Sequence, residues 1–174
     1  VALQAGFISI GAAQAQHLAN GDDVRIALID TGVDASHPDL HGRIHEQRDF
    51  VVEPATNPNL ERHGTEVAGV IAAVANNGIG IVGIAPGVRV YSYRACWPVV
   101  AGASAAQCNT FTLAQALAAA IESKAQVINL SLGGPHDPLL EQLLDVALKR
   151  GIIVAGATPA NGLPEGFPSG VPGV

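Results

Sequence analysis

Asp30 ends an apolar run and opens the turn Thr31-Gly32, while His63 stands at the head of a helical pattern and is followed by Gly64-Thr65. A carboxylate and an imidazole brought together can do acid–base chemistry. A neutral histidine takes a proton from a hydroxyl near neutral pH when a carboxylate holds its other ring nitrogen, and that carboxylate stabilises the imidazolium as it forms. Asp30 is read as the orienting acid and His63 as the base. The positive end of the helix is expected to favour the neutral imidazole, in opposition to Asp30. Taken singly, an Asp before Thr-Gly is often only a turn residue, and a His opening a helix is often a solvated or capping group. Their joint occurrence is what suggests a site.

These two residues need elements that deliver them. Residues 24–29 are continuously apolar after the polar turn Asn20-Gly21-Asp22-Asp23, which predicts a strand buried on both faces with Asp30 at its C-terminal end. Val67, Val70, Ile71 and Val74 recur at helical spacing from His63 until Asn76-Asn77-Gly78. Further strands are predicted at 88–95, 127–132 and 152–157. The Thr112-Leu113-Ala114-Gln115 capping box predicts one helix start, and Asp137-Pro138 predicts another, ending at Lys149-Arg150-Gly151. Strands alternating with helices imply an α/β fold: a mostly parallel sheet with helices on both faces. Ligands in such sheets bind beyond the carboxyl ends of the strands, where Asp30 and Ser131-Leu132-Gly133-Gly134 fall. The Pro/Gly-rich tail after residue 157 has no regular period and reads as loops cut off before another strand.

Composition narrows the function. The 174 residues are 48% hydrophobic and 14% charged, enough to bury the core of one domain. A net charge of -6 with nine scattered Lys and Arg disfavours nucleic acid. There is no membrane-length apolar run, and the start lacks a basic-then-apolar leader pattern, which predicts a processed or internally cut N-terminus. Cys96 and Cys108 bracket a small, polar stretch that reads as a surface loop pinned by a disulfide; two free buried thiols are the alternative. Such a bridge would contribute about 3 kcal/mol in the chain-entropy model and implies an oxidising, extracellular or periplasmic setting, hence a secreted protein. His37, His41 and His45 are four residues apart, but Pro38 and Gly42 break the helix that would align them on a metal.

Three blocks then stand in order: Asp30-Thr31-Gly32-Val33-Asp34 with His37-Pro38-Asp39-Leu40, His63-Gly64-Thr65, and Asn129-Leu130-Ser131-Leu132-Gly133-Gly134. Together they resemble the subtilisin-like serine proteases, over about residues 24–148. The resemblance implies a serine endopeptidase with Asp30 and His63 as two members of an Asp-His-Ser triad. Ser131, Leu132 and Gly133 would pair with an extended polypeptide substrate and line its first specificity pocket. The family's serine block, Gly-Thr-Ser-x-Ala, does not occur here. Residues 1–174 are therefore expected to be the N-terminal portion of one subtilisin-like domain, inactive alone, whose partner is the serine-bearing C-terminal segment in the same or a separate chain. Ser131 leads into Gly-Gly and does not follow Gly-Thr, so it is not read as the nucleophile.

Two family features fit this sequence less directly. The Ala-Gly-Asn that carries the oxyanion donor is replaced by Ala155-Gly156-Ala157-Thr158-Pro159-Ala160-Asn161. Asn161 is ranked first as donor, with Thr158 the alternative from ungapped placement. Asp39 and Asn77, in the loop 75–81, match positions where the family often binds structural calcium through hard oxygen ligands; Gln4 stands too close to Asp30 in sequence to be placed with them. Two rival readings are an aspartic protease, because Asp-Thr-Gly is also that family's signature, and a non-catalytic peptide-binding domain of the same fold.

Overall fold

The structure is a computed structural model, and it describes residues 4–52, 57–100, 103, 105–160 and 162–174. Five strands form one parallel sheet in the order β2-β3-β1-β6-β7: β1 (Arg25–Asp30), β2 (Ile44–Asp49), β3 (Arg89–Arg94), β6 (Val127–Leu130) and β7 (Ile153–Gly156). β1 sits at the centre. Its Ala27 and Ile29 face a core built with α4 (Thr110–Glu122) and α5 (Pro138–Lys149), whereas Ile26 and Leu28 face α3 (His63–Ala72). Burial on both faces explains why the strand reads as an unbroken apolar run.

α3 lies against the sheet through Gly64, Ala68 and Ala72, all buried, while Val70 is exposed. The inward stripe combines these small residues with the partly buried Val67 and Ile71, and the expected role of Val70 in it is not found. α4 begins two residues before the expected capping box: Asn109 is its N-cap and accepts from the Thr112 amide at 2.8 Å. Thr112 is buried and donates its hydroxyl to Ala95 O at 2.7 Å, so that oxygen ties the helix to the end of β3. α5 starts as expected, with Asp137 Oδ1 accepting from the Leu139 and Leu140 amides.

Some elements lack the patterns used to find the others. β2 carries mainly polar side chains along one sheet edge. Two short helices, α1 (Ala5–Ser9) and α2 (Ala12–Gln16), precede the sheet, and β4 (Cys96–Pro98) pairs antiparallel with β5 (Ala106–Cys108) in a small hairpin. Cys96 and Cys108 face each other across that hairpin and form the disulfide. At the opposite edge, β7 pairs with β6 alone among the described residues, and its Ile153 is 64% exposed. No helix among the described residues is long and apolar enough to cross a membrane.

Candidate active site

Asp30 is the last residue of β1 and is 3% exposed. Its Oδ1 accepts from the Thr31 amide at 2.7 Å and from His63 Nδ1 at 2.6 Å. A carboxylate oxygen can only accept here, so Nδ1 carries the proton and Nε2 is left to take one from a substrate or nucleophile. Thr31 completes the junction: its Oγ1 accepts from the Gly64 amide at 2.9 Å, docking the start of α3 on the turn after β1. A side chain at Gly64 would meet Thr31 O at 2.6 Å and Gly32 O at 2.7 Å, so glycine there is required for the close approach. The pKa of His63 is raised, chiefly by the hydrogen bond to Asp30, against a lowering from partial burial, with the charges of Asp30 and Glu66 adding to the rise. The carboxylate outweighs the burial, and the net shift is opposite to the neutral imidazole expected from the helix end.

Behind this pair lies a charged cluster that sequence patterning missed. Arg94, at the end of β3, is in register with Asp30 of β1 and Asp49 of β2. Its guanidinium donates to both oxygens of Asp49 at 3.0 and 2.9 Å and to both oxygens of Glu61 at 3.0 and 2.6 Å. Glu61 Oε2 also accepts from the Gly32 amide at 2.5 Å. The available signal was a lone arginine closing an otherwise buried strand.

A cleft of about 610 Å³ opens beside His63. Ser131, Leu132 and Gly133 line it, together with Leu113, Leu140 and Phe167, which supply apolar wall. Gly134 and Phe167 exchange backbone hydrogen bonds at 2.8 and 2.9 Å, fixing the tail segment against the 131–134 turn. The disulfide is also part of the wall, since Cys96 and Cys108 both face the cleft. Thr110 donates to Asp137 Oδ2, joining the starts of α4 and α5 at the rim. Ser131 Oγ accepts from Asn129 Nδ2 at 3.0 Å, and among the described residues no serine hydroxyl is bonded to His63. Asn161 lies outside the described residues; Thr158 is exposed and is not on the cleft.

On the far side of α3, the 76–82 loop wraps around Asp39. Asp39 Oδ1 accepts from Asn77 Nδ2 at 2.8 Å and Oδ2 from the Ile81 amide at 2.9 Å. Gln4 joins the same loop by a paired contact with the Val82 backbone, both bonds at 3.0 Å. Sequence reasoning set Gln4 aside as too close to Asp30 in the chain, and the fold nevertheless brings it to this loop. Asp39, Asn77, Gln4 and the loop carbonyls bring together oxygens of the hard kind that calcium takes; in this structure the side-chain oxygens of all three accept hydrogen bonds within the loop.

A parallel α/β sheet delivering an aspartate and a histidine to one cleft defines a subtilisin-like hydrolase scaffold and excludes the all-β aspartic protease fold. The family model of the subtilase family matches residues 21–168, and the chain belongs to that family of serine proteases. It is 41% identical over 138 residues to thermophilic serine proteinase of Bacillus sp. (strain AK1), covering 79% of this chain and 33% of that protein. With thermitase of Thermoactinomyces vulgaris it shares 37% identity over 168 residues, 95% of this chain and 58% of thermitase. The chain thus spans less than two thirds of either relative. Among solved structures it superposes on the prenylagaramide maturation protease PagA with a TM-score of 0.71 at 25% identity, covering 94% of this chain and 56% of that one. Fervidolysin from Fervidobacterium pennivorans, a keratinolytic enzyme related to subtilisin, gives a TM-score of 0.67 at 29% identity, covering 84% and 23%.

Proposed function

We propose that this chain supplies the acid–base half of a serine endopeptidase: residues 1–174 form the N-terminal portion of one catalytic domain, and the nucleophilic serine comes from a further segment of the polypeptide. The observation that carries the reading is the short Asp30–His63 hydrogen bond, with Asp30 buried and His63 facing the cleft. In this mechanism His63 Nε2 takes the proton of the serine hydroxyl as its oxygen bonds to the scissile carbonyl carbon. His63 then returns that proton to the departing amine, which leaves an acyl-enzyme. The same histidine next takes a proton from water as the water oxygen bonds to the ester carbonyl carbon, then gives that proton to the serine oxygen as the acyl C–O bond breaks, releasing the carboxylic acid product. Asp30 keeps Nδ1 protonated throughout and stabilises the imidazolium.

The substrate is a polypeptide in extended form. Ser131, Leu132 and Gly133 leave the sheet just past Leu130, so their backbone groups are available to pair with it. Asn161 is proposed to aim its amide at the developing oxyanion, a contribution of about 3–4 kcal/mol where such a donor acts. Asp39, Asn77 and Gln4 would hold calcium as a structural ion. The disulfide supports an extracellular or periplasmic location, where such a bond persists.

Co-expression with a serine-bearing C-terminal segment tests the reading. Hydrolysis of a fluorogenic peptide is expected to appear, to be blocked by a serine-directed phosphonate, and to fall by about 10⁶-fold in kcat in His63→Ala. Activity that survives His63→Ala would remove the acid–base pair from the mechanism, and no activity in any combination would favour a peptide-binding role.

A further inference from the structure

We propose that Glu61, held by Arg94, is the positioning residue for the Asp30–His63 pair, its carboxylate bridging the turn that follows Asp30 and the segment that enters the His63 helix. The inference rests on the acid–base reading of those two residues. Glu61 lies two positions before His63, and its Oε2 accepts from the amide of Gly32, two positions after Asp30. Gly32 is joined to Thr31, whose amide fixes the Asp30 carboxylate and whose hydroxyl receives the Gly64 amide. One carboxylate therefore secures the residue that orients the acid and seats the helix carrying the base. Thr65 adds a second tie, donating its hydroxyl to Glu61 O at 3.2 Å and accepting from the Asp34 amide at 3.0 Å.

Arg94 makes this arrangement possible. Glu61 and Asp30 are both buried acids joined through the 31–32 turn, and Arg94 is the one buried basic side chain among the described residues. Its fork meets both oxygens of Glu61 and keeps them oriented, a geometry a lysine could not reproduce. The hydrogen bonds of Glu61 reach the Gly32 amide and Arg94, so its proposed action on His63 runs through the geometry of the turn, and the variants below separate that from charge.

The test follows His63 by NMR titration in the full chain, together with hydrogen exchange at Gly32. Glu61→Asp keeps the charge but is one methylene too short to reach Arg94 and Gly32 together. It is expected to lower the His63 midpoint by about half a pH unit or more as the Asp30 contact loosens, and to speed exchange at Gly32 by roughly tenfold while the Leu28 amide stays protected. Should single variants fail to fold, the paired replacement Glu61→Leu with Arg94→Met, which leaves no buried charge unpaired, is expected to show the same His63 shift. Asp30→Asn is the reference. If it lowers the His63 midpoint and the folded Glu61 variants do not, the positioning role is overturned; if Glu61→Gln shifts it and Glu61→Asp does not, the effect is charge and the role is likewise overturned. An Asp30→Asn variant that leaves His63 unmoved would instead remove the acid–base reading itself.

Discussion

The hydrogen bond from His63 to Asp30 couples folding to proton binding. Its effect has a definite sign: the folded-state pKa of His63 lies above the unfolded value, so the stabilisation is complete below about pH 6.5 and fades as pH rises through the raised value. Urea denaturation of the native chain and of Asp30→Asn between pH 5 and pH 9 should show a stability difference that shrinks toward alkaline pH. A difference that grows with pH would mean that another group dominates. With His63 as the proposed base, the same shift would place the acid limb of peptidase activity above that of an ordinary histidine, because the base must first lose its proton. Asp30 and His63 were legible as residues because short motifs surround them. Glu61 and Arg94 were not, since neither stands in a block like those around Asp30 and His63, and only the fold brings them together.

Helix starts show how far local pattern reaches. The Thr112 capping box and the Asn109 cap are both sound sequence patterns, and the choice between them is tertiary. Ala95 O at the end of β3 takes the Thr112 hydroxyl, leaving Asn109 to cap the helix. Asn109→Ala should therefore cost about 1 kcal/mol in chemical denaturation; a neutral result would return the cap to Thr112. Strands divide in the same way. β1 was readable because it is buried on both faces, whereas β2 was hidden because residues such as His45, Glu46, Arg48 and Asp49 show no apolar period. An edge strand is defined by its neighbour more than by its own side chains.

For the molecule as a whole, the Asp39 loop joins the N-terminal helices to the sheet. Gln4 grips the Val82 backbone and Gln16 donates to Gly83 O and Ile84 O at 2.7 and 2.9 Å, so the loop is held from outside while Asp39 holds it from within. A calcium ion on Asp39, Asn77 and Gln4 would stabilise this junction by about 2.7 kcal/mol at a hundredfold excess over Kd, or roughly 5–10 °C in Tm for a chain of this size. Thermal unfolding with and without calcium measures it, and Asp39→Asn should abolish the response. An unchanged Tm, with no calcium retained in equilibrium dialysis, would leave the loop as a hydrogen-bonded turn only.

The two sheet edges also differ in what they invite. β2 presents charge to any approaching backbone, and charged edges resist the addition of a foreign strand. Ile153–Gly156 offers no charge and an exposed isoleucine. New backbone pairing is thus disfavoured at β2 and left open at β7, so that another strand added at high concentration would join the sheet two strands away from Asp30 on β1.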